Sequence, residues 1–354
     1  MKTGDRKRIV SRGGGCLLSF FLVLLLLGAP PEKAAAAQTE EERTAGLVEG
    51  AKKEGKLVWY TTMPVDVAPK FVKRFREKYP FIDVEIFRSG QEKVVIKILA
   101  EAQARRHAFD VVTVNAIASV ALQAKGIYAK YPSPQREFYS EGAKDAEGYW
   151  TDTFLNLNTI GYNTRLISSR EAPKTWQDLI DPKWKGRLGM DTKPIYWFAG
   201  MLKLMGEKKG LEYMEKLSRQ GIQFRTGRTL NTQMMAAGEI SVGVTLYNYM
   251  VEEMKQKGAP IEWVAIEPVI PEPFPLSISA HAPHHHAAKL FVDFMLSREG
   301  QEIMAGTFRI PARTDVDAMV PKLKKGLKIL PFDVTIARDY ERYAKLFRDT
   351  MMKR

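Results

Sequence analysis

The chain has 354 residues, a formal net charge of +13 and one cysteine. This length exceeds what one hydrophobic core usually supports, so we expect two domains. A single cysteine excludes a disulfide framework within the chain, so a hydrophobic core must hold the fold together. The positive charge attracts anions, but no run of five like charges occurs, and we expect no nucleic-acid partner.

Residues 1–37 have the pattern of a secretory signal peptide. Five basic residues and one acid among the first 12 precede the apolar run CLLSFFLVLLLLGA, and the segment ends in small residues. The run is shorter than the roughly 20 residues that span a bilayer. Cleavage near Ala37 predicts a soluble periplasmic protein, and an uncleaved N-terminal anchor is the alternative. The segment holds six Lys or Arg and two Asp or Glu, so the mature chain keeps about +9.

Three strands alternating with three helices are predicted between residues 54 and 126. The strands are KLVWYT, IDVEIFRSG and FDVVTVNA, and the intervening segments have apolar residues at helical spacing. This order predicts a parallel sheet with helices on both faces. Ligands of such sheets bind at the loops after the carboxyl ends of the strands, which here are TTMP, RSGQ and NAIAS.

A second α/β pattern follows the strand-like segment WTDTFLNLNTIGYNTRLI. The segment GRLGMD is predicted as a strand, and helices follow in PIYWFAGMLKLMGEKKGLEYMEKLSRQG. A helix, a strand and a helix are predicted in NTQMMAAGEISVGVTLYNYMVEEMKQKG, and then the strand IEWVAIEPV. The tail ends in a basic amphipathic helix, which we expect to pack on the outside of a lobe.

The motifs of common enzymes are absent from this sequence. It has no P-loop, no dinucleotide-binding glycine motif, no H-E-x-x-H and no G-x-S-x-G. The only thiol lies in the predicted signal peptide, and its position before the apolar run does not fit a lipid anchor. These observations favour a binding protein without catalytic activity.

Several segments together resemble the periplasmic solute-binding proteins of bacterial ABC importers, in the branch with ferric-ion-binding proteins. They are KLVWYTT, EIFRSGQEKVVIKILAEAQARRHAFDVV, TWQDLIDPKWKGRLGMDT, AAGEISVGVTLYNY and APHHHAAKLFVDFMLSREGQ. Their order and spacing fit over nearly all of residues 50–315. The resemblance implies a two-lobe α/β fold of type II, with a mostly parallel sheet in each lobe and two hinge strands. It also implies a monomeric subunit that delivers a ligand to a membrane permease, or alternatively a sensor for a signalling receptor.

The resemblance also implies a discontinuous first lobe. Residues 38–155 and 261–315 form lobe 1, residues 156–260 form lobe 2, and residues 316–354 form a helical tail on the lobes. The chain is expected to cross between the lobes at residues 153–163 and 261–269. Closure about such a hinge is a known response to ligand binding.

The ferric relatives hold iron with an early histidine, a glutamate after the third strand and two adjacent tyrosines. Here the first position lies in TTMP, the glutamate position is Asn115, and the tyrosine pair reads Tyr247-Asn248-Tyr249. Tyr247 and Tyr249 are therefore the only weak metal candidates. Ferric binding proper stays open as an alternative function, with a carried anion completing the coordination. No resident cofactor is predicted.

The strand-end loops predict a cleft that binds an anion, either a phosphonate, a phosphate ester or a carboxylate. Arginine and lysine supply charge for such a ligand, and helix N-termini supply free amides. The candidate ligand-binding residues are Thr61, Thr62, Arg88, Ser89, Asn115, Asp191, Lys193, Tyr196, Trp197, Arg228, Thr229, Tyr247 and Tyr249. Two of these have competing interpretations: Arg88 as a surface partner of Glu92, and Trp197 as a core residue.

Four of the five histidines lie within residues 281–286. The run enters the predicted helix AAKLFVDFMLSREGQ, and His286 is expected at its N-cap. Successive residues in such a loop are expected to point in different directions. We therefore expect structural or exposed histidines here, with a weak metal site as the alternative.

Overall fold

The structure is a computed structural model that describes residues 39–352. The predicted signal peptide and its cleavage site lie outside these residues. Between residues 39 and 352, no helix is long and apolar enough to cross a membrane. The helices are α1 Glu40–Glu54, α2 Ala68–Lys78, α3 Gln91–Gln103, α4 Ala116–Gln123, α5 Ile195–Met205, α6 Glu207–Ser218, α7 Arg228–Ala237, α8 Asn248–Gln256, α9 His285–Leu296, α10 Arg298–Ala305, α11 Val334–Arg338 and α12 Tyr340–Met351.

Two mixed sheets form the centre of the molecule. The strands are β1 Lys56–Thr61, β2 Asp83–Arg88, β3 Val111–Thr113, β4 Tyr128–Ala129, β5 Thr151–Asn163, β6 Leu188–Asp191, β7 Gln223–Arg225, β8 Val242–Tyr247, β9 Ile261–Val264, β10 Pro271–Ser279 and β11 Ile310–Pro311. Their main order is β2-β1-β3-β10-β5-β8-β6-β7. We use lobe 1 for the half built on β1 to β4, β10 and β11, and lobe 2 for the half built on β6 to β9.

The core of lobe 1 forms where helices cover the parallel strands β2-β1-β3. Alternation in KLVWYT directs Leu57 and Trp59 to one face, and both are fully buried. Trp59 packs on Phe291 of α9, with ring centroids 5.1 Å apart, and Phe75 of α2 meets the same ring. The predicted β-α-β-α-β-α order of this lobe is confirmed.

Lobe 2 repeats the arrangement with the parallel strands β7-β6-β8. Its core contains Trp176, Trp184, Trp197 and Phe198, and α12 contributes Phe347. The rings of Phe198 and Phe347 meet edge to face at 5.4 Å. The C-terminal helix α12 thus buries one apolar face against this lobe.

One long strand belongs to both sheets. The first half of β5 pairs antiparallel with β10 through Thr151–Leu157, and its second half pairs with β8 and β9 through Asn158–Asn163. The chain returns from β9 to β10 through a short connection that contains a cis peptide bond at Glu267-Pro268. Two chain crossings therefore join the sheets, as the two-lobe fold requires.

The strand β10 was absent from the sequence prediction. It contains Pro271, Pro273 and Pro275, which cannot donate a hydrogen bond, and prolines argue against a central strand. The pairing register explains why the sheet tolerates these prolines. β3 pairs only with Leu276–Ile278, so the proline-rich half of β10 has its neighbour β5 on one side and lies beyond the end of β3.

Helix α9 begins two residues earlier than the sequence indicated, at His285 rather than Ala287. Its N-cap residue is His284, whose side chain makes no capping bond, so the expected N-cap role of His286 is wrong. The capping comes from another part of the chain. Glu54, at the end of α1, accepts the amides of His286 at 3.1 Å and Ala287 at 2.8 Å. Tertiary contacts thus satisfy the helix terminus that local sequence leaves open.

Candidate functional site

Arg228 lies between the two lobes, where it contacts Asp191 and Thr245 of lobe 2 and Glu272 of lobe 1. As the first residue of α7 it follows Gly227, whose φ of +97° suits glycine. Its Nε donates to the carbonyl oxygen of Thr245 at 3.0 Å, and its Nη2 donates to Glu272 at 3.0 Å. Its Nη1 lies 3.4 Å from Asp191. One guanidinium therefore connects the ends of three elements of lobe 2 with β10 of lobe 1.

The charges around Arg228 are buried and unequal in number. The side chains of Arg228, Asp191 and Glu272 are only 12, 9 and 11 % exposed. Burial by itself lowers the pKa of Arg228, but the neighbouring carboxylates outweigh it and the net effect raises the pKa. With both acids ionised, the group carries one net negative charge. The ring of Tyr247 lies under the guanidinium, 4.3 Å from centroid to Cζ.

Glu272 is a central member of this site that the sequence analysis missed. It accepts from Arg228 through Oε2, and its Oε1 lies 3.5 Å from the side-chain nitrogen of Asn115. The signal was obscured because the residue lies in the run PEPFP, where the prolines conceal a strand. The one sequence feature that could have indicated its role is a single acidic residue among prolines and apolar residues.

A strained backbone position directs one partner toward Arg228. Thr245 has a φ of +62°, which is rare for a β-branched residue, and it lies where the register of β8 and β5 shifts. Its carbonyl oxygen accepts from Arg228. Such strain is frequent at binding sites, where the surrounding structure holds the residue in place.

The predicted residues of lobe 1 have mainly local partners. Thr61 is buried and its hydroxyl accepts from the amide of Met63, whereas Thr62 is half-buried. Arg88 is exposed and donates to the carbonyl oxygen of Met63 at 3.0 Å, and Ser89 is half-buried beside it. Asn115 is the N-cap of α4 and also faces Glu272, so it connects lobe 1 with the Arg228 group.

An ion pair joins the two lobes at the rim of the cleft. Lys193, after β6, lies 2.5 Å from Glu92 on α3. The sequence also allows Arg88 as a surface partner of Glu92. In the structure Lys193 contacts Glu92, and Arg88 donates to Met63 instead. Both side chains are more than half exposed, so solvent screens the pair. Thr229 is also exposed, in the first turn of α7.

Two predicted site residues, Trp197 and Tyr196, are buried and pack against aromatic rings. Trp197 is fully buried in the core of lobe 2 and packs on Trp176 at 5.3 Å, which agrees with its competing interpretation as a core residue. Its neighbour Tyr196 stacks on Phe332 at 5.2 Å, and its hydroxyl accepts from the amide of Asp333 at 2.8 Å. The helical period of α5 turns both side chains toward packing partners.

An arginine faces each of the two candidate tyrosines. Arg228 lies over Tyr247, and Arg309 lies 4.6 Å from the ring centroid of Tyr249. The two rings stack with centroids 6.0 Å apart. Burial raises the pKa of both phenols, and Glu272 adds to the effect at Tyr247. The tyrosines are thus close to each other but adjoin guanidinium groups.

Comparison with known proteins identifies the family. Residues 110–338 match the family model described as bacterial extracellular solute-binding protein. The chain belongs to this family. The predicted resemblance to the solute-binding proteins of ABC importers is confirmed, and so is the two-lobe fold.

Individual relatives differ in what they are described to bind. An uncharacterized protein of Haemophilus influenzae is 30% identical over 268 residues, covering 72% of this chain and 76% of that protein. A putative 2-aminoethylphosphonate-binding periplasmic protein of Salmonella typhimurium is 26% identical, covering 49% of this chain and 54% of its own length. Iron-bound HitA from Pseudomonas aeruginosa has a TM-score of 0.75 at 22% identity, covering 83% of this chain and 99% of HitA.

Proposed function

We propose that this solute-binding protein captures a small organic ligand that carries both an anionic group and an amine. The observation that carries the proposal is the buried group of Arg228 with Asp191 and Glu272. It combines a guanidinium, which suits phosphonate, phosphate or carboxylate, with two carboxylates, which suit an ammonium. 2-Aminoethylphosphonate is a ligand of this class, and the description of the Salmonella relative supports it.

The charge balance favours such a ligand over a simple anion. Arg228 already donates to two carboxylates and a carbonyl oxygen, so an anion alone would enter a group with a net negative charge. An amine on the ligand offsets the carboxylates while the anionic group takes the guanidinium. The first amides of α7 and the ammonium of Lys193 add further attraction for the anionic end.

Ferric binding is the competing function, and the site argues against it. The family ligands are replaced at Asn115 and Asn248, and guanidinium groups adjoin both remaining tyrosines. Arg228 lies 4.3 Å from the ring centroid of Tyr247 and Arg309 lies 4.6 Å from that of Tyr249, so each phenol already has a guanidinium partner. The iron-bound relative therefore supports the fold, while the organic ligand is the better proposal for this chain.

The remaining parts of the function follow the family. The protein acts in the periplasm as a monomer without catalysis or nucleic-acid binding, closes about β5 and the β9–β10 connection, and delivers its ligand to an ABC permease. The bridges of Lys193 with Glu92 and of Arg228 with Glu272 support this closure, since each connects the two lobes. A sensor for a signalling receptor is the alternative role, and co-purification with a permease distinguishes the two.

Calorimetric titration of the mature chain tests the ligand class. The ligands are 2-aminoethylphosphonate, ethylphosphonate, which lacks the amine, fructose 6-phosphate and ferric citrate. We expect 2-aminoethylphosphonate to bind roughly 10- to 100-fold more tightly than ethylphosphonate, because the amine pairs with buried carboxylates. Equal affinities would show that the amine has no role, and a purple tyrosinate band with ferric citrate would establish the iron function instead.

Arg228→Lys tests the central residue with its charge retained. Lysine cannot reproduce the two-donor geometry of the guanidinium, so affinity should fall while the fold is kept. Arg170→Lys, at an exposed position, is the matched control and should bind as the wild type does. If both variants bind equally well, Arg228 does not contact the ligand.

A further inference from the structure

The five histidines gather at one end of lobe 1, opposite the cleft. His107 precedes β3, and residues 281–286 follow the end of β10, which runs antiparallel to β3. The cleft lies at the carboxyl ends of β1 and β3, so these histidines lie at the other edge of the sheet. We call this edge, with Glu54 and Asp110, the base of lobe 1.

Two of the histidines share a carboxylate. His286 Nδ1 lies 2.7 Å from Glu54 Oε1, and His285 Nδ1 lies 3.6 Å from the same oxygen. The two imidazole rings have centroids 3.8 Å apart, so they do not diverge as the sequence analysis expected. One potential ligand atom from each of the three residues lies within 4.8 Å of the others.

The helix α1 has a space shaped for one of these rings. A β-carbon at Gly50 would lie 2.3 to 2.6 Å from three ring atoms of His286, so only glycine admits the imidazole there. Gly50 and Glu54 are four residues apart and share a face of α1. The same face therefore supplies both the space for the ring and the carboxylate that contacts it.

We propose that Glu54, His285 and His286 form a binding site for a zinc ion. Two imidazoles and one carboxylate are a ligand set that zinc accepts, with water completing a tetrahedron. The site joins the end of α1 to the start of α9, 231 positions apart in sequence at the closest pair. Zinc would thus fasten the first described helix to lobe 1, independently of the ligand in the cleft.

The other histidines in the described part of the chain have different surroundings. His284 pairs with the buried Asp110 at 2.9 Å. The rings of His107 and His281 have centroids 4.3 Å apart and are tilted by 40°, but they line a cavity of about 400 Å³ together with Arg105, Arg106 and Lys125. Those cations repel a metal ion. Among these histidines, His285 and His286 are therefore the best candidates for metal ligands, because they contact Glu54.

Zinc titration of the tag-free mature chain, residues 38–354, tests the site by calorimetry and by thermal unfolding against EDTA. We expect one zinc per chain and a higher unfolding midpoint with zinc. His285→Ala removes one of the three proposed protein ligands, so zinc affinity should fall by more than the roughly 10- to 100-fold that loss of an outer-shell partner costs. His285 is 53 % exposed in its side chain, so this variant should keep its fold without zinc.

His281→Ala is the matched control, because it removes a histidine of the same loop outside the site, and it should bind zinc as the wild type does. The proposal is overturned if the wild type binds no zinc, or if His285→Ala binds zinc as tightly as the wild type. Equal losses in both variants would also overturn it, since they indicate nonspecific binding by the loop.

Discussion

In the cleft, one guanidinium lies between two carboxylates and all three side chains are nearly buried, whereas at the base of lobe 1 one carboxylate faces two partly exposed imidazoles. The cleft contacts connect elements of both lobes, but those at the base stay within lobe 1. The charges between the lobes are therefore strongly coupled, and their contacts depend on how the two lobes pack together. At the base, a charge change should affect one helix junction only. Four predictions test this difference.

The largest effect is expected for Arg228→Ala, which leaves Asp191 and Glu272 buried without their cation. Removing one member of a buried pair costs about 3–5 kcal/mol in the free energy of unfolding. Arg342→Ala is the control, because Arg342 pairs with Glu207 at the surface and both are nearly half exposed. It should cost less than about 1 kcal/mol. If Arg228→Ala and Arg342→Ala lower the free energy of unfolding in urea by similar amounts, the charges between the lobes are not coupled.

A buried acid outside both regions sharpens the comparison. Asp152 in β5 is 1 % exposed, and among residues 39–352 neither carboxyl oxygen has a hydrogen-bond partner. Burial raises its pKa well above the ordinary value. The protonated form is therefore preferred in the folded state, and the stability that this group contributes is lost as pH rises above the unfolded pKa.

Asp152→Asn replaces the carboxyl by a neutral amide, so the variant does not lose stability as pH rises in the way that the wild type does. We expect the variant to be more stable than the wild type at pH 7, by about 1–3 kcal/mol, with the difference disappearing near pH 4. Urea unfolding of both proteins between pH 4 and pH 7 measures this difference in the free energy of unfolding. A variant that is equally destabilised at every pH would indicate that the carboxyl has an unseen partner.

Glu54→Ala tests the base by removing the group that caps α9. In the presence of EDTA it should cost about 1 kcal/mol, as expected for loss of a helix cap. Glu49→Ala is the control on the same helix, since Glu49 pairs only with Lys52 among the described contacts and is exposed. A cost as large as that of Arg228→Ala would remove the distinction between the two regions.

The smallest effect is expected for Lys193→Ala at the rim. This exposed pair should contribute less than about 0.5 kcal/mol to unfolding, and the difference should vanish in high salt. Ligand affinity is the more sensitive measurement, because the pair joins the lobes. A large, salt-independent loss of stability would show that the rim belongs to the buried centre.

The sequence by itself determined the two α/β halves and the family. Alternation in KLVWYT and helical spacing after it are local properties, so each could be read from adjacent residues. The loops at the strand ends also predicted that Arg228, Asp191 and Asn115 lie close together, because parallel strands direct their carboxyl ends to one edge. In the structure Arg228 contacts Asp191 and Glu272, and Glu272 faces Asn115.

Only the tertiary structure decided which partners those residues have. Glu272 joins Arg228 because β10 returns along β5, and prolines concealed that strand from any periodicity. Glu54 meets His286 across 232 positions, a contact that no local pattern encodes. Trp197 is buried because helix packing, not its place after a strand, sets its direction. Long-range pairing depends on how elements pack together, and short stretches of sequence carry little of that information.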